Sequence, residues 1–229
     1  MFSLFSLCVC ANDQELFLRA NQLYESHDYD NALSSYMTMS RHGTAALYNI
    51  GNCYFHKNDY ARALAYWARA KKGATRQECI AIDRNSDHVL CCLQKQRDGT
   101  WVNWLVKIIS AINMMIPLII EQFLFFLCWV LLWYLYGNNR LYKTYFFFLT
   151  LLLCILAIAL YVRYRDSVSV YGFAVKKTPV LSCPTRDADY LGVIEYADCV
   201  KIRESRKEWY KVRYSDNIGW VEADTIQIV

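Results

Sequence analysis

Hydrophobic and polar positions divide the chain into regions of different periodicity, and the most apolar region lies in its second half. Residues 116–136 and 145–162 are apolar on every helical face, and Glu121 is the only charged residue in either stretch. A bilayer core of about 30 Å needs about 20 helical residues. The pattern therefore predicts two transmembrane helices joined by a polar turn at 137–144. The alternative is a very apolar pair of helices in a soluble protein.

The residues before these stretches extend the predicted membrane region to 101–163. Residues 101–120 carry apolar side chains near helical spacing, with Trp101 and Trp104 at their start, which predicts a helix lying in the headgroup region. Glu121 follows one to two turns inside the membrane edge. We expect it to be a solvated interfacial carboxylate.

An internal repeat organises the region between the first 11 residues and residue 100. The 24 residues that begin at Leu16 align without gaps with those that begin at Leu47, at a spacing of 31. Polar residues mark the turn inside each copy, where Asp28 and Asp59 can cap the next helix. The pattern predicts helical hairpins at about 14–43 and 45–73 and a closing helix at 75–96, with a break near 85–86 left open.

The second copy resembles a tetratricopeptide repeat (TPR) at the family's hallmark positions, which are Leu47, Ile50, Gly51, Tyr54, Ala63, Trp67 and Ala70. The first copy departs from the family pattern at Arg19 and Met39. Small residues such as Ala20 and Gly51 let paired helices approach closely. TPR stacks act as partner-binding scaffolds by virtue of their shape, and the resemblance implies the same role here. The family's groove-facing positions fall at Phe17, Asn21, Tyr24, Tyr48, Asn52 and Phe55.

Five of these positions are candidate partner-binding residues: Asn21, Tyr24, Tyr48, Asn52 and Phe55. For the aromatic members, packing against neighbouring helices is the alternative explanation. The two asparagines are the better candidates, because packing in the core does not require an amide group at those positions.

The tail, residues 164–229, changes to the alternating pattern that is typical of short strands. Runs at 173–175, 192–194, 199–202, 209–214, 219–221 and 225–229 predict a small all-β barrel, with turns at 184–187, 204–208 and 215–217. The tail resembles a bacterial SH3 domain (SH3b) at Leu181-Ser-Cys-Pro184, Gly192, Val200, Trp209-Tyr-Lys-Val-Arg213 and Gly219-Trp220-Val221. Cys183 and Ala197 stand where this family usually has glycine, so we expect a positive φ there.

The aromatic residues of the tail suggest two roles. Trp220 is expected to fill the barrel, whereas four tyrosines could line a ligand groove: Tyr190, Tyr196, Tyr210 and Tyr214. The resemblance implies cell-wall peptides or protein partners as ligands. A purely structural module is the alternative.

The order of the modules points to a protein family. The apolar residues 1–11 end in Val9-Cys10-Ala11, as at a signal-peptide cleavage site, although a frayed first helical turn is the alternative. A signal-like leader, two TPRs, a membrane hairpin and an SH3b module in this order resemble the BatE type of protein from bacterial aerotolerance (Bat) operons. The resemblance implies a membrane scaffold that works beside von Willebrand-type Bat proteins. The expected fold is a multidomain membrane protein with α-helical TPR hairpins, two transmembrane helices and a small all-β SH3-like barrel.

Charge and catalytic motifs exclude several other functions. The net charge of +4 comes mostly from cations that flank the apolar stretches, and neither outer region has a dominant sign, so the chain lacks a nucleic-acid footprint. The histidines are dispersed, and we expect no zinc site because none has a Cys or His at ligand spacing: His27, His42, His56 and His88. No phosphate loop or nucleophile elbow occurs. We therefore expect no enzyme activity, cofactor or metal.

The ten cysteines leave one chemical alternative open. Five of them lie outside the leader, the membrane stretches and the repeat core, and these are possible redox or disulfide partners: Cys79, Cys91, Cys92, Cys183 and Cys199. Cys183 and Cys199 are the most local pair in an oxidising compartment. Buried free thiols are the default expectation.

The sequence as a whole predicts a scaffold of the bacterial inner (cytoplasmic) membrane, with protein partners that include other membrane-bound Bat-type proteins. Two spans place both soluble modules on one side, and the signal-like start favours the periplasmic side. Lys and Arg counts near the membrane ends do not decide the orientation. The alternatives are a peptidoglycan-binding SH3b protein and a thiol-dependent redox component of the envelope.

Overall fold

The computed structural model describes residues 2–93, 118–137, 143–214 and 217–229 of the 229-residue chain. The chain divides into two compact units. One unit holds Met1–Lys95 together with Val170–Val229, and the other holds Gln96–Ser169. The first unit contains a helical module and a β module, and the described part of the second contains two apolar helices.

The helical module consists of five consecutive helices: α1 (Phe2–Glu25), α2 (Tyr29–Met37), α3 (Thr44–His56), α4 (Tyr60–Lys71) and α5 (Arg76–Cys92). α1 packs against α2 and α3 packs against α4, so each copy of the repeat forms a pair of helices. The expected leader boundary at residue 11 falls inside α1. α5 continues through residues 85–86, so the break considered there does not occur.

The turns inside the two repeats have the same conformation, residue by residue. His27 and Asn58 occupy equivalent positions, and both have a left-handed backbone, with φ of 63° and 60°. Asp28 and Asp59 follow as N-caps, and each side chain accepts a hydrogen bond from the backbone N–H three residues further on, at 3.3 and 3.2 Å. The predicted capping role of both aspartates is confirmed. Each turn therefore ends one helix and begins the next at a fixed angle.

Close packing between α3 and α4 depends on Gly51. A Cβ atom added at Gly51 would collide with the indole ring of Trp67, which is buried beneath it. This confirms the expectation that a small residue lets the paired helices approach. Ala20 is the fully buried counterpart in the first repeat, in a cluster with Tyr36, Ile50 and Cys53.

The β module is an antiparallel sheet of seven strands. They are β1 (Val170–Ala174), β2 (Thr178–Leu181), β3 (Tyr190–Ile194), β4 (Cys199–Arg206), β5 (Trp209–Tyr214), β6 (Asn217–Glu222) and β7 (Ile226–Ile228), in the order β3-β2-β6-β5-β4-β1-β7. Inward-facing aliphatic residues fill its core, including Val180, Ile194, Val212 and Val221. Trp220 is buried, but it is not part of this core, because Arg206 and Lys211 lie over its ring on the other face of the sheet, so the prediction that it fills the barrel is wrong.

Three details of the β module differ from the sequence prediction. β2 was missed because Pro179 interrupts the alternating run, yet Pro179 pairs with β3, while β2 pairs with β6 at Leu181. The predicted turn at 204–208 is largely strand, because β4 extends to Arg206 and pairs with β5. Ala197 has a positive φ of 62°, as expected, but Cys183 does not have a positive φ.

The second unit contains α6 (Leu118–Gly137) and α7 (Lys143–Val168), which pack against each other. Both helices are long and apolar enough to cross a membrane, judged by length and composition. α7 continues to Val168, so residues 164–168, which the sequence assigned to the tail, are helical. The predicted interfacial helix lies outside the described residues up to position 117, and so do residues 138–142 of the predicted turn.

A buried ion pair joins the two apolar helices. Glu121 lies in the first turn of α6 with 3% exposure, and Arg163 Nη1 donates to its Oε2 at 3.2 Å. The expectation of a solvated carboxylate is therefore wrong. A buried carboxylate is costly unless it is paired, and the partner comes from the far end of α7, 42 residues away. Spacing along the chain does not show which residue lies opposite Glu121.

Candidate functional site

The helical module carries a groove of about 520 Å³ to which α1, α3, α4 and α5 all contribute. Its lining consists of Tyr24, Tyr48, Asn52, Phe55, His56, Trp67, Arg84, Asn85 and His88. Four of the five predicted partner-binding residues are in this set, and Asn21 is not. Tyr24 on α1 therefore meets Tyr48, Asn52 and Phe55 of α3 at one site.

Aromatic rings form the apolar part of the groove. The ring centroid of Phe55 lies 5.9 Å from that of Trp67 and 6.2 Å from that of His88. Tyr29 stacks on His56 beside the groove at 4.3 Å, and the Tyr24 hydroxyl lies 3.1 Å from His56 Nε2. These contacts hold the rings in place, so the groove is preformed.

Polar groups at the groove are mostly donors or neutral amides. Asn85 Nδ2 donates to the Tyr48 hydroxyl at 2.8 Å and orients that ring. Arg84 and His88 are exposed on α5, beside Asn85. The lining contains no Asp or Glu side chain. A groove with these groups suits a ligand that combines apolar surface with a negative charge.

The asparagines at equivalent positions have a structural task. Asn52 Oδ1 accepts a hydrogen bond from Trp67 Nε1 at 3.0 Å, and Asn21 Oδ1 accepts one from the Tyr36 hydroxyl. Trp67 and Tyr36 are themselves equivalent and almost fully buried. The expectation that the core requires no amide at these two positions is wrong, because the buried tyrosine hydroxyl and indole N–H each need an acceptor. Partner binding by Asn21 and Asn52 stays a prediction.

We expect Asn21→Ala and Asn52→Ala each to lower the free energy of unfolding by about 1–3 kcal/mol, because a buried donor loses an acceptor. Part of the loss at Asn52 is offset, since Trp67 Nε1 also lies 3.2 Å from the Tyr48 carbonyl oxygen. Urea unfolding of the full chain in detergent measures the loss. Asn12, which is exposed on α1, supplies the control Asn12→Ala. Wild-type stability in both variants would show that the two hydrogen bonds contribute nothing.

The closing helix α5 supplies groove residues that the sequence analysis did not assign. Arg84, Asn85 and His88 lie at positions i, i+1 and i+4 of one helix, on a polar face beside the buried positions Ile82 and Val89. The signal available in the sequence was this polar face. It was not used, because α5 was interpreted only as a cover for the repeats.

The β module carries a second concavity, also of about 520 Å³, with charges of both signs. It is lined by Thr185, Arg186, Lys207, Glu208, Trp209, Glu222, Ala223 and Asp224. None of the four tyrosines predicted to line a groove is in this set. Tyr190 is exposed, the Tyr214 hydroxyl donates to Asp198, and Tyr196 contacts the helical module. Tyr210 packs against the core of the β module, so the four tyrosines do not line this concavity.

The thiols and histidines do not assemble a metal centre in the described part of the chain. No group of three or more His, Cys, Asp or Glu side chains there could hold a metal ion. The statement that no histidine has a ligand-spaced cysteine is wrong, because His88 Nε2 lies 3.9 Å from Cys92 Sγ across one helical turn. Cys183 and Cys199 are both free. Burial raises the pKa of Cys53 to about 12, so this thiol is unreactive at neutral pH.

Comparisons with known proteins add little to this picture. No protein-family model matches the chain, and no curated protein matches it. Among solved structures, NlpC2 from Trichomonas vaginalis matches 26% of this chain with 20% identity and a TM-score of 0.26. The match covers 23% of the NlpC2 chain, less than a quarter of its length. Over the residues that the structure describes, the fold itself defines a protein with paired helices, two candidate membrane spans and a seven-stranded antiparallel sheet.

Proposed function

We propose that this protein is a non-enzymatic, membrane-anchored scaffold of the bacterial cell envelope, and that the groove of the helical module binds a protein partner. The observation that carries the proposal is the preformed groove, with aromatic rings, an exposed arginine and no carboxylate in its lining. The TPR and SH3b resemblances, and the BatE-like order of modules, support the same function. They suggest other membrane-bound Bat-type proteins as partners.

The chemistry of the groove defines the kind of segment that it would bind. Phe55 and Trp67 offer flat apolar surface, which favours an aliphatic or aromatic side chain of the partner. Arg84 can donate two hydrogen bonds to one carboxylate, and Asn85 stands next to it on α5. The proposed ligand is therefore a peptide segment in which an acidic side chain, or a free carboxyl end, lies near a bulky apolar one.

We further propose that α6 and α7 both cross the inner membrane and that the two modules lie on its periplasmic side. The apolarity of both helices supports the spans. Contacts between α4 and β1, which belong to chain segments before and after the two helices, support a common side for the modules. The signal-like sequence of the first 11 residues favours the periplasm.

Charge reversal at the groove tests the proposal. We expect Arg84→Glu to weaken partner binding at least about tenfold, because a charge-assisted hydrogen bond contributes about 1.5–3 kcal/mol and the new carboxylate repels the ligand. A photo-crosslinking amino acid at Tyr48, in membranes of the source cells, reports how much partner is bound at the groove.

Two controls make this result specific. Arg19 is exposed on α1 and does not line the groove, so Arg19→Glu makes the same change in charge elsewhere on the module. The same photo-crosslinker at Tyr190 reports on the β module. Equal crosslinking at Tyr48 in wild type and Arg84→Glu would contradict the proposed site. Crosslinking to peptidoglycan from Tyr190, with none at Tyr48, would favour a wall-binding protein.

A further inference from the structure

The helical module and the β module share one apolar core. The buried cluster around α4 and α5 contains Leu64, Trp67 and Ile82 together with Ala197, which lies between β3 and β4. Three partly buried side chains of the β module pack against the same cluster: Phe173, Val175 and Tyr196. β1 and β7 both contact α4. The two modules therefore meet through an apolar interface formed by residues distant in sequence.

A hydrogen bond at the start of α4 adds a polar element to this interface. The first N–H groups of a helix have no partner inside the helix. Asp59 caps the N–H of Arg62, and the N–H of Ala61 donates to the Tyr196 hydroxyl at 3.1 Å. A residue of the β module thus completes the cap of a helix in the other module. At the other end of α4, Lys72 Nζ donates to the Val229 carbonyl oxygen at 3.2 Å.

The turn that carries Tyr196 and Ala197 is held rigidly within the β module. Asp198 Oδ2 accepts hydrogen bonds from the Glu195 N–H at 3.0 Å and from the Tyr214 hydroxyl at 2.9 Å. The Ala197 N–H donates to the Ala174 carbonyl oxygen at 2.7 Å. This turn is therefore already shaped for contact with α4, which limits the entropy lost on docking.

Ala197 is unusual at its position, because its φ of 62° normally favours glycine. Ala197 is only 2% exposed and belongs to the cluster around α4 and α5. Glycine would relieve the backbone but would remove the methyl group from that cluster. The presence of alanine is explained by contact with the helical module and not by the turn itself.

From these contacts we infer that the β module is a built-in cap of the helical repeats, docked on α4 through the turn 195–198 and strand β1. Stacks of helical repeats need capping elements at their ends, and two repeats are fewer than such stacks usually have. The docked turn is the part of the β module that is unavailable to an outside ligand. This inference does not depend on what the groove binds.

Hydrogen exchange of the full chain in phospholipid nanodiscs tests the inference. Ala197→Glu puts a charge into the apolar interface, so the amides of α4 and β1 should exchange at least about tenfold faster, while those of β5 and β6 stay protected. Lys207→Glu is the control, because Lys207 also has a positive φ in a turn but is exposed. Wild-type exchange in α4 of the Ala197→Glu protein would overturn the inference.

A second variant decides the case in which Ala197→Glu also loosens β5 and β6. Tyr196→Phe keeps the ring and removes only the hydroxyl that accepts from Ala61, so the Ala61 amide should exchange faster. Tyr190→Phe is its matched control, since Tyr190 is exposed on β3. Faster exchange at Ala61 in Tyr196→Phe alone supports the docked cap. Equal exchange in both tyrosine variants overturns it.

Discussion

Trp67→Ala should destabilise the helical module by about 3–5 kcal/mol, because it removes a large side chain from a packed core and leaves a cavity. Trp67 is 1% exposed and lies against Gly51. A domain has a total stability of only about 5–15 kcal/mol, so this loss can leave the module largely unfolded near physiological temperature. Circular dichroism during urea unfolding of the full chain measures the change.

Two further substitutions separate the causes of that loss. Trp67→Phe retains much of the apolar volume but removes the Nε1 donor to Asn52, so it should cost less than Trp67→Ala. Trp209→Ala is the control for loss of a tryptophan elsewhere, because Trp209 is only partly buried in the β module. If Trp67→Ala were no more destabilising than Trp209→Ala, the packing described between α3 and α4 would be wrong.

Arg163→Leu should destabilise the pair of apolar helices by about 3–5 kcal/mol, because it leaves the buried Glu121 carboxylate without the cation that it contacts. Glu121→Leu should cost less, since the Arg163 side chain is 31% exposed and is not left in a fully buried place. The double variant should be much closer to wild type, because two leucines suit an apolar environment and neither charge remains. Reversible unfolding in mixed detergent micelles measures all four proteins.

The double-mutant cycle isolates the coupling between the two side chains. The control replaces Gln122, which follows Glu121 on α6 and is exposed, with leucine alone and together with Arg163→Leu. Additive effects of Glu121→Leu and Arg163→Leu would contradict the ion pair. A coupling of several kcal/mol for Arg163 with Glu121, but not with Gln122, would agree with the structure.

The internal repeat let the sequence predict much of the groove. Five residues were chosen because equivalent helical positions face the same way in stacked repeats. Tyr24, Tyr48, Asn52 and Phe55 line the groove, whereas Asn21 does not. The sequence could not show that α5 completes it with Arg84, Asn85 and His88. That contribution depends on the angle at which α5 packs against α4, which no local pattern encodes.

The two asparagines show what the repeat pattern could not predict. Spacing placed Asn21 and Asn52 at equivalent positions, but it did not show that Tyr36 and Trp67 point their donors at them. Those contacts join residues 15 apart, across the turn between two helices. A polar residue at a repeated position can serve either a ligand or a buried aromatic donor, and only the three-dimensional arrangement distinguishes these roles.

The sequence by itself determined those elements that depend only on residues close together in the chain. The two apolar stretches, the helix caps at Asp28 and Asp59 and the small residue at Gly51 follow from hydrophobic length, turn chemistry and steric size, all of which are readable from the sequence. Strand β2 is an exception, because Pro179 weakens its local signal while pairing with β3 retains it in the sheet.

Only the tertiary structure decided which distant groups meet. It pairs Glu121 with Arg163, brings Tyr196 to the start of α4 and buries Ala197 among the helices. The physical reason is the same in each case. Apolar burial and the pairing of buried polar groups act between any residues that the fold brings together. The distance between two residues along the chain does not show whether they are in contact.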